Sequence, residues 1–134
     1  MKRVPVLLAI LSLGLISLLQ PRTAAAQDPV KVAPDIYKQV FENERVRVCD
    51  VKFKPGDKIA KHSHPDHFIY VLEQGKVKIS KPDGSSSDND FQVGQVVWIP
   101  AETHWAENVG STEVHALIVE LKEPARVKPA PKKK

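Results

Sequence analysis

From Arg45 to Lys122 the chain is a series of short β-prone segments, each stopped by proline, glycine or a polar turn. The first segment, RVRVCDVKF, alternates valine with polar residues and ends at the turn sequence Pro55-Gly56-Asp57. Short strands at intervals of about 8 to 12 residues, without a helical period, are typical of an all-β barrel or sandwich. The pattern therefore predicts an all-β fold.

The remaining strands are predicted from the same alternation of β-prone runs and turn signals. A turn-rich loop is expected at residues 81–90 (KPDGSSSDND). Phe68 and Trp98 lie in apolar strand contexts, so both are expected in the core. The further strand segments are 58–64, 67–80 divided near Gln74-Gly75, 91–100 hinged at Gly94, and 113–122.

The N-terminus has the composition of a secretory signal peptide. Lys2 and Arg3 precede an uncharged, mainly apolar run over residues 4–19, and Ala24-Ala25-Ala26 supplies small residues for cleavage before Gln27. The alternative is an uncleaved membrane anchor, but this run is shorter than the ~20 residues that span a bilayer. The sequence predicts a signal peptide over residues 1–26, and hence a periplasmic or secreted protein with no stable membrane span after cleavage.

The rest of the chain is expected to form a single domain between two less structured segments. Residues 27–44 are a polar, Pro-rich lead-in, residues 45–122 form the barrel, and residues 123–134 are a disordered basic tail. The net charge of +4 comes from the two ends, because the body between them has more acidic than basic residues. We therefore expect no nucleic-acid partner. Cys49, the only cysteine, is expected to be buried in its strand.

A pair of histidines gives the first indication of chemistry. His62 and His64 are separated by one residue on a predicted strand, so both imidazoles point to the same face and can reach one ion. A third ligand must come from another part of the fold, and His104 follows Pro100 on a later strand or turn. By itself an H-x-H pair is more often a polar surface than a metal site, so the spacing leaves both interpretations open.

The segments around these histidines resemble the two motifs of the cupin superfamily. Residues 56–64 (GDKIAKHSH) match the first motif, in which five residues separate a glycine from H-x-H. Residues 94–100 (GQVVWIP) match the start of the second motif, and residues 104–108 (HWAEN) match its end. The chain most resembles the small single-domain bacterial cupins called conserved-barrel or cupin 2 proteins, some of which are labelled as β-alanine degradation proteins.

The resemblance implies a double-stranded β-helix, or jelly-roll barrel, with one metal ion on His62, His64 and His104. Cupins usually have a glutamate ligand shortly after H-x-H, but Phe68 and Ile69 occupy those places here. When the chain is aligned on the strand that follows, the glutamate position falls at His67. His67 is thus a candidate fourth ligand, and the alternative is an exposed loop histidine.

Neutral imidazoles suit Zn, Fe, Ni and Cu rather than Mg or Ca. Fe(II) is the favoured ion, and Zn, Ni, Mn or Cu are possible. Three histidines on Fe(II) resemble the site of the thiol and diketone dioxygenases of this superfamily, so an O₂-dependent dioxygenase of a small organic substrate is the favoured function. A non-catalytic module that binds a metal or a small ligand is the alternative. An isomerase or epimerase is the second alternative, although it needs an acid–base pair that the sequence does not suggest.

Three further residues are candidates for the pocket or for support of the ligands. Trp105 either walls the pocket or packs elsewhere, Tyr70 is a possible hydrogen-bond donor that alternation places on the opposite face from His67, and Asn108 could orient a ligand. His115 shares an apolar strand face and is expected to be buried and hydrogen-bonded. The resemblance also implies a homodimer through an outer sheet.

Overall fold

The computed structural model describes residues 27–122, which form two antiparallel sheets that face each other. Within these residues the elements are, in chain order, α1 Pro29–Val32, β1 Tyr37–Glu42, β2 Val46–Phe53, β3 Lys58–His64, β4 His67–Glu73, β5 Gly75–Ser80, β6 Ser86–Phe91, β7 Val96–Ile99, β8 Glu102–Asn108 and β9 Val114–Leu121. The larger sheet has the strand order β1-β2-β9-β4-β7, and the smaller sheet has the order β3-β8-β5-β6.

The chain crosses repeatedly between the two sheets after β2. From β2 to β9 successive strands lie in opposite sheets, except that β5 and β6 form a hairpin within the smaller sheet. The last strand, β9, pairs with β2 in the larger sheet. The turn between β2 and β3 needs a left-handed residue, and Gly56 supplies it with a φ of 82°. This path is the jelly-roll barrel that the resemblance implied.

The core lies between the sheets because the strands turn alternate residues inward, most regularly on β9 of the larger sheet. On β9 the buried residues are Val114, Ala116, Ile118 and Glu120, while the residues between them are half-buried on the outer face. Cys49 is buried on β2, as predicted. The inner faces thus supply an apolar core with one carboxylate at its end.

Residues 81–90 are only partly a loop, contrary to the prediction. The turn ends at Ser85, and β6 runs over Ser86–Phe91 as an edge strand paired with β5. Its serine, aspartate and asparagine side chains have low β-propensity. Main-chain pairing to β5 therefore overrides the local preference of this segment.

Trp98 is also misplaced by the sequence analysis, since 54% of it is exposed. Alternation on β7 points Val97 and Ile99 toward the interior, where both line a cavity, and directs Trp98 outward. Phe68, its cross-strand partner on β4, is half-buried on the same outer face. Apolar context alone could not distinguish the two faces.

The segment 27–44, predicted as a lead-in, contributes regular structure. Asp28 caps the short helix α1, and β1 pairs with β2 at the edge of the larger sheet. The predicted signal peptide (1–26) and the predicted tail (123–134) lie outside the described residues. Among the residues that are described, no helix has the length and apolar character needed to cross a bilayer.

Candidate metal centre

His62 and His104 face each other across the pairing of β3 with β8. Between the pairs Ile59–Ala106 and His62–His104, β3 has one residue more than β8, so the strand bulges. Strict alternation from Ile59 would place Lys61 inward, but the bulge instead turns His62 into the interior, where it is fully buried. One additional residue thus determines which side chains reach the core.

His64 connects the two sheets. It follows His62 on the inner face of β3, and its Nδ1 donates a hydrogen bond of 2.7 Å to Oε1 of Glu120 on β9 of the other sheet. His67, at the start of β4, is buried beside it, with 4.6 Å between the two ring centroids. Both sheets therefore contribute histidines to one end of the barrel interior.

All four of these histidines use Nδ1 in the same way. His62 and His67 donate to the main-chain carbonyls of Ala60 and Pro65, each at 2.8 Å, and His104 donates to Oε1 of Glu102 at 2.7 Å. Carbonyl and carboxylate oxygens only accept, so each Nδ1 must hold the proton. In the neutral ring, Nε2 is then the nitrogen with a free lone pair.

Three of the rings bring candidate ligand atoms together. The ligand atoms of His62, His64 and His104 all lie within 4.8 Å of one another, and the three residues are buried. His67 is not a member of this group, although it lies against His64. The three histidines predicted from the cupin motifs therefore converge, with His67 beside them.

The Nε2 atom of His62 tests whether these residues fit a metal ion. It is buried and has no hydrogen-bond partner among the described residues, an arrangement that is rare because desolvating a polar atom without a partner is unfavourable. A bound cation would satisfy this lone pair together with those of the neighbouring rings. Imidazole nitrogens held from behind by Nδ1 bonds are the usual ligands of transition metals.

Burial keeps these rings neutral. It lowers the pKa of His62 to about 4, and it also lowers the pKa values of His64 and His104 in spite of their hydrogen bonds to carboxylates. Neutral imidazole is the form that coordinates a metal, so the three rings need not lose a proton at neutral pH to do so.

A cavity of about 240 Å³ adjoins the cluster. His64, His67 and His104 lie on its wall, and most of the remaining lining is aliphatic or aromatic. Its polar residues apart from the histidines are Tyr37, Lys81, Ser87, Asn89 and Glu102. Such a space suits a small organic molecule that is largely apolar.

The three other candidates from the sequence do not line this cavity. Tyr70 and Trp105 point away from the interior because they alternate with inward residues on β4 and β8. The ring of Trp105 instead packs against Lys61, with 5.6 Å between Nζ and the ring centroid. Asn108 is buried, but its amide donates to the carbonyls of Phe53 and Thr112. It therefore holds a turn in place and has no bond to a histidine.

Glu120 and its partners were missed by the sequence analysis. Arg47 lies opposite Glu120 on β2, donates to Oε2 of Glu120 at 2.6 Å, and also donates to Asp28 at 2.7 Å. Burial alone would raise the pKa of Glu120, but the bonds from His64 and Arg47 outweigh it and leave that pKa below its ordinary value. The sequence did contain one signal for Glu120: it occupies the next inward position after Val114, Ala116 and Ile118 on β9.

A jelly-roll barrel with three converging histidines from an H-x-H strand and a later strand defines the cupin class of proteins. The family model Cupin_2, described as "Cupin domain", matches residues 49–120, just over half of the chain. The chain belongs to this family. No curated protein matches it.

Solved structures from several bacteria have the same fold. A cupin domain from Bordetella pertussis is 27% identical with a TM-score of 0.61, over 66% of this chain and 93% of that one. A double-stranded β-helix protein from Klebsiella pneumoniae is 24% identical with a TM-score of 0.53, over 64% of this chain and 75% of that one. A cupin superfamily protein from Desulfitobacterium hafniense is 19% identical with a TM-score of 0.51, over 66% and 77%.

Proposed function

We propose that this protein holds one divalent transition metal on Nε2 of His62, His64 and His104 and uses it on a small, largely apolar molecule in the adjoining cavity. The observation that carries the proposal is the buried Nε2 of His62, which has no partner within the described residues and lies beside two more imidazoles. We further propose His67 as a fourth ligand or a close neighbour of the ion.

The favoured metal is Fe(II) and the favoured reaction is dioxygenation of the bound molecule. Iron in a site of imidazoles supplies the one-electron and O₂ chemistry that such a reaction needs. The chain's own residues would orient the ligating rings through their Nδ1 bonds, and the aliphatic wall would bind the apolar body of the substrate and exclude water. Zn, Ni, Mn or Cu would suit the same nitrogens.

A non-catalytic cupin that binds a metal or a small ligand is the second candidate. It is favoured by the pairing of Glu102, whose two oxygens accept from His104 and Lys81, because these bonds lower the pKa of this cavity carboxyl group and make it a weak base for proton transfer. The same histidines would then bind the metal or ligand without catalysing a reaction.

Metal analysis of the purified, untagged protein tests the site. We expect about one metal ion per chain, and loss of at least nine-tenths of it in the double variant His62→Ala/His64→Ala. His115→Ala is the matched control, because this histidine lies on the outer face of β9 and bonds to Asp50 at 2.6 Å. Undiminished metal in the double variant would contradict the site.

Oxygen consumption separates the two candidate functions. Iron in the wild type, with O₂ uptake on a panel of small thiols and diketones that the double variant lacks, supports the dioxygenase. Iron or another metal without uptake on any of them, together with ligand binding by calorimetry, supports the binding protein.

We also propose a homodimer that forms through the outer face of the larger sheet. One row of cross-strand neighbours on that face is apolar over all five strands, and its members are Phe41, Val48, Val119, Phe68 and Trp98. Trp98→Glu is expected to shift the protein from dimer to monomer in sedimentation velocity. Trp105→Glu, on the outer face of the other sheet, should leave the dimer intact.

Export is proposed from the composition of residues 1–26. In a bacterial host the protein is expected in the periplasmic or culture fraction, with Gln27 as its N-terminal residue by mass spectrometry. Recovery from the cytoplasm with Met1 retained would contradict this proposal.

A further inference from the structure

The segment of residues 27–33, which precedes the first strand, lies against the strand that bears His62 and His64. The amide of Ser63 donates to the carbonyl of Gln27 at 3.1 Å, which forms a parallel bridge between Gln27 and His62. Pro29 is buried and Ala33 belongs to the hydrophobic core. The N-terminal segment is thus fixed to β3 by both main-chain bonding and apolar contact.

The same segment is connected to His64 by a chain of charged side chains. Asp28 accepts from Arg47 at 2.7 Å, Arg47 donates to Glu120 at 2.6 Å, and Glu120 accepts from His64 at 2.7 Å. The other oxygen of Asp28 accepts from the amide of Val30, so the carboxylate is held at the start of α1. Asp28, Arg47 and Glu120 are therefore each bonded to two partners along this chain.

Burial makes the links between Arg47, Glu120 and His64 sensitive to the loss of a partner. The side chains of Arg47 and Glu120 are only 16% and 3% exposed, so water cannot replace a missing partner fully. Arg47 uses one edge of its guanidinium for Glu120 and another nitrogen for Asp28, which restricts where the carboxylate of Glu120 can lie. The position of that carboxylate in turn orients the ring of His64.

We propose that Asp28 and Arg47 are positioning residues of the metal centre, so that docking of residues 27–33 and binding of the metal favour each other. This inference rests on the metal site proposed above. Coupling between two binding events is reciprocal: the segment strengthens metal binding, and the metal must strengthen docking of the segment by the same factor.

The first test compares Co²⁺ affinity in folded, metal-free protein by competition with a chromophoric chelator. Arg47→Met keeps the apolar stem and is expected to weaken Co²⁺ binding about 10- to 100-fold, the usual effect of losing such a supporting group. Asp28→Asn should weaken it less, and Arg47→Lys should recover part of the loss. Lys58→Met is the matched control on β3, because it removes an exposed ion pair with Glu107.

The second test needs no variant. Hydrogen exchange of the wild type with and without Co²⁺ should show the amides of residues 31–33 exchanging about ten-fold more slowly with the metal. A structural role alone would leave these rates unchanged on adding the metal.

The outcomes distinguish the two proposals. A wild type that fails to bind Co²⁺ refutes the metal site and this inference with it. A wild type that binds Co²⁺, with unchanged affinity in Arg47→Met and Asp28→Asn, refutes only the coupling. Unchanged exchange at residues 31–33 on addition of Co²⁺ also refutes the coupling, whether or not the variants fold.

Discussion

Two carboxylates hold candidate metal ligands by bonds of the same length in very different surroundings. Glu120 reaches His64 from the opposite sheet and is 2% exposed, with Arg47 behind it. Glu102 lies two residues before His104 on the same strand and bonds to Lys81, whose side chain is 48% exposed. One support is buried and formed by tertiary contacts, and the other is local and partly open to water.

The comparison shows that an equal distance does not imply an equal contribution. In both supports burial acts to raise the pKa of the carboxyl group, and hydrogen bonds from a histidine and a cation outweigh it and leave that pKa lowered. Solvent and salt can screen the Lys81 pair, whereas the Arg47 pair lies in a region of lower dielectric. We expect the Glu120 support to be rigid and the Glu102 support to be replaceable.

The largest expected difference is in the free energy of unfolding of the metal-free protein. Glu120→Ala leaves a buried guanidinium and the Nδ1 of His64 without their partner, so it should lower that free energy by about 3 kcal/mol or more. Glu102→Ala should lower it by less, about 1 to 2 kcal/mol, because it leaves the Nδ1 of His104 without a partner but no buried guanidinium. Urea denaturation of both variants measures this, and equal losses would mean that burial does not distinguish the two supports.

A change of pH is expected to have an intermediate effect on stability. The residue responsible is His62, whose ring is held by the main-chain carbonyl of Ala60 and not by a carboxylate. Because burial lowers the pKa of His62 to about 4, the unfolded chain binds a proton at this residue between pH 6.5 and 4 that the folded chain does not. Stability of the metal-free protein should therefore fall as the pH is lowered through this range.

Thermal unfolding from pH 7 to pH 4 measures this dependence, with His62→Asn as the variant that removes the group. The wild type should lose more stability on acidification than His62→Asn. Identical pH profiles for the two proteins would show that His62 does not contribute to the dependence.

The smallest expected effect is that of removing Lys81. Lys81→Met should change the Co²⁺ affinity by no more than about three-fold at low salt, since exposed ion pairs contribute little. The difference should shrink near 1 M salt, where the Debye length falls to about 3 Å. Titration at both salt concentrations measures it, and an effect as large as that of Arg47→Met would remove the distinction between the supports.

The fold was predictable because its signals are local. Valine-rich alternation and turn residues such as Pro55-Gly56 mark strands, and the motif resemblance placed His62, His64 and His104 together. Faces were harder to predict. Trp98 and Val97 are neighbours of similar apolar character, and only the pairing of β7 with β4 determines which of them points inward.

The residues that support the ligands could be predicted only in part. Glu102 precedes His104 by two positions on one strand, so its proximity can be inferred from sequence. Glu120, Arg47 and Asp28 are far apart in the chain and meet only once β9, β2 and the N-terminal segment have assembled. Sequence periodicity cannot predict such tertiary contacts. A carboxylate at an inward position of an apolar strand does indicate that a buried partner must exist.

The bulge between Ile59 and His62 gives β3 one residue more than regular pairing with β8 requires. Deleting Ala60 would therefore let the two strands pair regularly while His62 and His64 keep their inward direction, because Ile59, His62 and His64 would then occupy alternate positions. The deletion would remove the carbonyl that accepts from Nδ1 of His62. It offers an engineer a way to keep both imidazoles inside the barrel and change only how firmly one of them is oriented.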